Sequence, residues 1–249
     1  NADVPMSGID ALRIPVVLEA YRMLDNIPTL SQRQLISDTL VIQADPASAN
    51  QLLGVIAGSD DPYLGASLVT DMMQRMGLVN SYLLVPFGAD PQAGQRPLET
   101  PANSVEGLRT NPDLYRQFTA EDMGMLLANI YYCAQGRGGV ISAVFEGAIT
   151  QEECQQLLDY MALNKVESLL EEGVPTNVTI AHRHGWVSDT HGDAGIVFSP
   201  GGDYVIVEVL YKPDWLEWEV SSPLLADISR ATYNFFNFDN PYLTDSRAN

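Results

Sequence analysis

The chain has 249 residues, 46% of them hydrophobic, enough to bury the core of one large domain or two closely packed ones. Acidic residues outnumber basic ones 32 to 13, a formal charge of −19 that repels nucleic acid and anionic membrane surfaces. No run approaches the ~18 uninterrupted apolar residues of a membrane-spanning helix. No signal-peptide pattern opens the chain, which starts Asn-Ala-Asp-Val as a processed or cloned form would, so no compartment follows from its beginning.

Leu12, Val16, Leu18, Tyr21 and Leu24 recur at helical spacing, predicting a helix over 11–24 with Asp10 as its N-cap. A second helix is expected over 31–43 and a third over 46–56, opened by Pro46 in its first turn. Asp60 or Asp61 caps a fourth, with Pro62 at its start and its end near Gly77. Residues 86–118 are rich in Pro, Gly, Asn and Asp and lack periodicity; a stretch of that length is a functional loop or one clamped to the body. Thr119, with Asp122 three residues on, opens a helix to about Gln135, which QGRGG ends. Thr150 and Glu153 make a capping box for the next helix, and 164–172 extends the helical region. Then 178–187, 194–198 and 204–211 are β-rich, joined by DTHGD and SPGGD turns into an antiparallel meander. A helix over 223–236 closes an α+β plan without internal repeats.

Two features carry chemistry. Cys133 and Cys154 are the only cysteines, and the count alone leaves one disulfide or two thiols open. The stretch AHRHGWVSDTHGD holds every histidine. His182 and His184 alternate along a strand, so they share a face and Arg183 takes the other. With His191 or the carboxylates Asp189 and Asp193 they make a candidate zinc or copper set. The competing reading is a hairpin whose histidines line the core or a pocket.

VTIAHRHGWV, followed by GDAGIVFSPGGDYVIVEVLY and SSPLLADISRATYNFF, resembles the class A serine β-lactamases and the wider superfamily of penicillin-recognising enzymes. In that family the first of these strands carries K-T-G after an Ala-His pair; the matching positions here are Arg183, His184 and Gly185. IDALRIPVVLEAYRMLD resembles the nucleophile helix, in which S-x-x-K precedes Ile-Pro; here the tetrad is Asp10, Ala11, Leu12 and Arg13. VIQADPASANQLL resembles the S-D-N segment, with Ala44, Asp45 and Pro46 in the motif and Asn50 at a downstream structural asparagine. The resemblance runs through most of the chain. It implies a β-lactamase/transpeptidase-like fold: an all-helical subdomain, about 26–172, beside an α/β part, about 1–25 and 173–249, whose antiparallel sheet is flanked by terminal helices.

In such enzymes the serine attacks the carbonyl, the lysine one turn on accepts its proton, and a loop glutamate activates the deacylating water. Here all three motifs differ. Attack by the Asp10 carboxylate would give a mixed anhydride, and the Arg13 guanidinium stays protonated at any working pH. No register shift restores S-x-x-K, because Ala162 and Val209 stand three residues before Lys165 and Lys212, the only lysines. Ser48-Ala49-Asn50 matches S-x-N by letters only, since Leu52-Leu53 fixes Asn50 as the structural position. Glu99 and Asn103 have the separation of the class A loop Glu and its Asn; the competing reading is an exposed loop glutamate.

Asp10 has two readings: a helix cap, or the centre of an ion-pair network with Arg13 and Arg183 filling the former oxyanion and carboxylate pocket. His182 falls where the family commonly has His, so only His184 needs a separate reason. The extracellular setting of family members favours a Cys133–Cys154 bridge and an extracellular, periplasmic or cell-envelope location. The family's sheet normally includes two strands before the nucleophile helix, and nine residues precede Asp10 here. The expectation is a sheet without them, its Tyr204–Tyr211 edge covered by a dimer mate, a partner or a removed N-terminal segment. Three functions follow. The leading one is a domain that has lost hydrolysis and binds a cell-wall peptide, a glycan or another protein domain, with no cofactor. The second is a hydrolase using Asp10, Glu99 or His184. The third is a metal-binding domain built on His182, His184 and His191.

Overall fold

The structure is a computed structural model and describes residues 1–24, 28–41 and 45–243. Its helices begin where a short polar side chain satisfies orphan amides. Asp45 accepts from the Ala47 N–H at 2.9 Å to start α3 (Pro46–Ile56), and Asp61 accepts from Tyr63 and Leu64 to start α4 (Pro62–Arg75). Thr119 caps α5 (Ala120–Ala134), and Thr150 with Glu153 forms both halves of a capping box on α7 (Gln151–Ala162). The remaining helices are α1 (Arg13–Met23), α2 (Leu30–Val41), the short α6 (Val140–Val144) and α8 (Trp218–Phe236).

Four expectations are corrected. Asp10 caps nothing: the chain enters α1 through a 3-10 turn, Asp10–Leu12, without a side-chain cap, and the Asp10 carboxylate is engaged elsewhere. Residues 164–172 do not extend the helical region. Glu167 and Leu169 take positive φ angles of 53° and 56°, and only a 3-10 turn, Glu171–Gly173, follows. The DTHGD segment is mostly strand, because β5 (Thr190–Phe198) already starts at Thr190. Helix α8 starts at Trp218 and carries Pro223 inside it, so the proline that reads as a start signal marks no boundary.

Strands β4 (Thr179–Trp186), β5 and β6 (Tyr204–Tyr211) pair antiparallel in the order β4-β5-β6, so β6 is an edge among the described residues. Alternation divides the sheet. Ala181, Ala194 and Ile196 enter the main core with Leu12, Ile14 and Leu18, and Val207 lies near Gly124 of α5. The opposite face carries Ile180, Val197, Tyr204 and Ile206, which pack with Leu170, Val174 and Tyr233 of α8. A second small sheet joins β1 (Met6–Ser7), β2 (Tyr82–Leu83) and β3 (Arg116–Phe118) in the order β1-β3-β2. These strands are too short to show periodicity, but they tether both ends of the 86–118 segment.

Cys133 at the end of α5 and Cys154 in the first turn of α7 form a disulfide, with a Cα separation of 5.9 Å. The bridge closes a loop with a sequence separation of 21. Replacing both cysteines by alanine should cost about 2–4 kcal/mol, chiefly by freeing the unfolded chain. Equilibrium denaturation checks this; a loss below about 0.5 kcal/mol would mean that the bridge contributes nothing in solution.

Candidate functional site

Strand β4 runs against the start of α1 because Gly185 has no side chain. A Cβ there would lie 2.4 Å from the Asp10 amide nitrogen. Alternation then aims Arg183 at Asp10, whose Oδ2 accepts from Arg183 Nη2 at 2.8 Å. Arg13, three residues along, donates its Nε to Asp10 Oδ1 at 3.0 Å. The Arg183 and Arg13 side chains are 0% and 2% exposed, so one carboxylate is shared by two cations largely removed from water. Both guanidiniums also meet the C-terminal end of α2: Arg183 donates to the Leu40 carbonyl at 2.8 Å and Arg13 to that of Thr39 at 3.4 Å. Cations there complement the helix dipole. Burial pulls the Arg183 guanidinium down to about 10, with Asp10 opposing the shift, and it stays cationic at neutral pH.

A cleft of about 410 Å³ opens beside this network, with Gly8, Pro46, Phe87, Asp113, Arg116 and Trp186 in its walls. The Phe87 ring lies 5.5 Å from the Arg13 guanidinium carbon, within cation–π range. Asn50 fixes that wall: its amide donates to the Phe87 carbonyl at 2.9 Å and accepts the Phe87 N–H at 3.0 Å. Arg116 pairs with Asp113 at 3.0 and 3.2 Å, placing a second Arg–Asp pair at the cleft.

The site residues expected from sequence are brought together only in part. Asp10, Arg13 and Arg183 meet, Pro46 lines the cleft, and Gly185 makes the close approach possible. Asp45 is spent on the α3 cap, and Ala44 lies outside the described residues. Glu99 is exposed and is not part of the cleft wall. Asn103 holds its own loop, accepting from the Thr100 N–H and donating to Tyr82, Leu98 and Gln117. His184 points to the opposite face of β4 from Arg183, so it does not serve chemistry at Asp10.

That opposite face holds a buried polar cluster. Gly195, across from His182, lets the imidazole lean along the strand; a Cβ on Gly195 would lie 2.6 Å from the His182 Cβ. His182 Nδ1 therefore sits 2.9 Å from both Asp193 oxygens, while Nε2 faces the Asn164 carbonyl at 3.1 Å and Glu171 at 3.8 Å. Burial alone would lower the His182 ring, but Asp193 and then Glu171 reverse this and raise it to about 9. Asn164 donates to the His182 carbonyl and to His184 Nδ1, and burial lowers His184 to about 4, leaving it neutral. Glu208 lies opposite Asp193 on β6, with neither carboxyl oxygen hydrogen-bonded. Burial, reinforced by the Asp193 charge, pushes it up to about 8. His191 instead meets the Ser221 hydroxyl at 2.6 Å. Among the described residues no three His, Cys, Asp or Glu side chains converge in a way that holds a metal ion.

Sequence reasoning missed Asn164, Glu208, Phe87 and the Arg116–Asp113 pair. Glu208 left a signal, since it shares its strand face with Tyr204 and Ile206 and so belongs to a buried row. Asn164, Phe87 and Asp113 lie in irregular segments, and Arg116 opens a strand of three residues, where spacing says nothing about direction.

A model described as the beta-lactamase enzyme family matches residues 18–236. Among solved structures, a beta-lactamase from Sphaerobacter thermophilus is similar at TM-score 0.70 and 17% identity, covering 97% of this chain and 87% of that one. PBP-A is similar at TM-score 0.65 and 17% identity, covering 94% and 82%. A beta lactamase from Burkholderia vietnamiensis is similar at TM-score 0.64 and 13% identity, covering 96% and 86%. No curated protein matches the chain.

Two predictions follow from the charges. Replacing Asp10 by Ala removes the carboxylate that both buried guanidiniums share, and should cost about 3–5 kcal/mol. A lost cap would cost only ~0.5–2 kcal/mol, so a measured loss below about 0.5 kcal/mol in urea removes the network. The second prediction concerns pH. His182, raised from 6.5 to about 9, stabilises fully below about pH 6.5 and loses that contribution as pH rises through 9. Glu208, raised from 4.5 to about 8, keeps a proton that the unfolded chain releases, so stability also falls as pH rises between these values. The melting temperature should therefore drop between about pH 6.5 and 9. Glu208→Gln should raise it at neutral pH and flatten that slope, and a wild-type melting temperature that climbs over the interval contradicts both assignments.

Proposed function

The chain belongs to the β-lactamase enzyme family, and within it we propose a β-lactamase fold that has lost acylation chemistry and works as an extracellular or cell-envelope binding domain. The observation that supports this most directly is the doubly paired Asp10. At the position that the sequence resemblance matches to the family's serine stands a carboxylate with one oxygen accepting from Arg13 and the other from Arg183. Each pairing withdraws electron density from that carboxylate. The neighbour placed to take a proton is Arg13, and a guanidinium does not act as a base. The alternative hydrolase would need Glu99 or His184 at the same centre. One is exposed outside the cleft and the other faces away from it.

A cleft remains, and its charge pattern suits a ligand rather than a reaction. Asp10 and the Arg116–Asp113 pair, all partly exposed, present both signs within one cavity. A peptide carrying an ammonium and a carboxylate fits such walls better than a neutral glycan, because each end finds its complement. A cell-wall peptide is the proposed ligand class. The disulfide agrees with an oxidising compartment. The division into a helical part and an α/β part carrying the sheet is retained in this reading.

Intact mass after incubation with a penicillin and, separately, a cephalosporin tests the loss of chemistry. The expected result is an unchanged mass and no turnover of a chromogenic cephalosporin. An acyl adduct, located by peptide digestion, would identify a working nucleophile and overturn the proposal.

A further inference from the structure

All three tryptophans of the chain line one cavity. Trp186 ends β4, Trp215 lies in the connection from β6, and Trp218 is the first residue of α8. Backbone pairing assembles them: the Lys212 N–H donates to the Asp189 carbonyl at 2.9 Å and the Leu216 N–H to that of Ser188 at 2.8 Å. This locks the connection onto the β4–β5 turn and brings the indoles together. Trp186 and Trp218 meet edge to face, with centroids 5.2 Å apart and planes at 64°, forming a corner of aromatic faces. Trp215 is 62% exposed and Trp186 44%, so the lining reaches solvent. The cavity measures about 410 Å³, within the range of small-ligand sites.

The chemistry of the walls selects the ligand. Besides the donor-only indole N–H groups, the polar side chains in the lining are Ser188 and His191, and the His191 Nδ1 is already committed to Ser221. A saccharide needs a fan of donors and acceptors, which these walls do not provide. Burial lowers the His191 ring below its usual value, so it is neutral and places no cation in the cavity. The turn, the connection and the first turn of α8 carry Asp189, Asp214, Glu217 and Glu219 against one lysine, Lys212, which is bound to Glu217 at 2.7 Å. The whole chain carries −19. Indole faces within an acidic field attract a cation, and a bulky one with little need of hydrogen bonds suits apolar walls best.

We propose that this cavity binds a small ligand through a quaternary ammonium group, the trimethylammonium head entering among Trp186, Trp215 and Trp218. The site shares Trp186 and Val187 with the cleft but does not include Asp10. Because every tryptophan lines the cavity, indole emission reports on it directly. Choline chloride should change that emission saturably, and its neutral isostere 3,3-dimethylbutanol should bind about tenfold more weakly or worse. Trp215→Ala, at an exposed position outside helix and strand, should weaken choline binding by about tenfold with an unchanged melting curve, and Trp215→Phe should restore part of it. Equal binding of choline and its isostere overturns the proposal, as does the absence of a saturable response. Saturation by an N-acetylglucosamine oligosaccharide without one by choline overturns it in favour of sugar stacking. Co-sedimentation with phosphatidylcholine vesicles in the absence of choline binding overturns it in favour of a membrane surface.

Discussion

Two arginines with almost no solvent exposure require a carboxylate, and much of the molecule is arranged around supplying one. Arg13 and Arg183 come from α1 and β4, elements far apart in sequence, and both end against Asp10 and the last carbonyls of α2. Removing two guanidiniums from water costs several kcal/mol each unless attraction and hydrogen bonds return it. Hence β4 must approach α1 closely enough for direct contact, and that approach demands Gly185. The α2 helix must end beside them, because its orphan carbonyls accept one further donor from each. Asp10 is therefore committed twice over, as the counter-charge of a junction between the helical body and the sheet.

The same strand serves a second, unrelated purpose on its other face. Between Ile180 at one end and Trp186 at the other, β4 places His182 and His184 against Asp193, with Glu208 on its far side on β6. Asp193 stands between a cationic imidazole and a carboxyl group pushed towards its neutral form. One formal anion with one cation is a combination a buried site tolerates; two anions with one cation is not. Rising pH erodes this arrangement from both sides, as His182 loses its proton and Glu208 loses its own. Gly195 makes the row possible in the way Gly185 makes the cleft possible, by leaving room where a side chain would block an approach.

What the sequence disclosed follows from how local each signal is. Asp61, Thr119 and Thr150 cap the helices predicted for them, because a cap involves four consecutive residues. The split of His182 and Arg183 to opposite faces follows from strand geometry alone, and the meeting of Asp10 with Arg13 and Arg183 follows once the fold is known. Asp10 as a helix cap failed because a tertiary ion pair outweighs a local amide contact. The start of β5 at Thr190 was hidden by Gly192 and Asp193, turn formers that here sit inside a strand, the glycine because a Cβ would strike the Glu208 carbonyl. Strands of two or three residues, such as Met6–Ser7, exist only through their partners and leave no local trace.

The two cavities are neighbours and share Trp186 and Val187 in their walls. On one side Trp186 borders a cleft with charges of both signs; on the other it borders an aromatic pocket in acidic surroundings. Trp186 also stacks on His184, with centroids 5.6 Å apart and planes at 15°. That imidazole is held in turn by Asn164, which also binds the carbonyl of His182. The shared wall is thus anchored to the buried polar row rather than left as a loose surface ring. His184, which has no chemistry to perform at Asp10, has a physical task here: a neutral flat ring supporting the indole that separates the two sites. A charged or aliphatic residue at that position would lose the stacking and loosen both walls together.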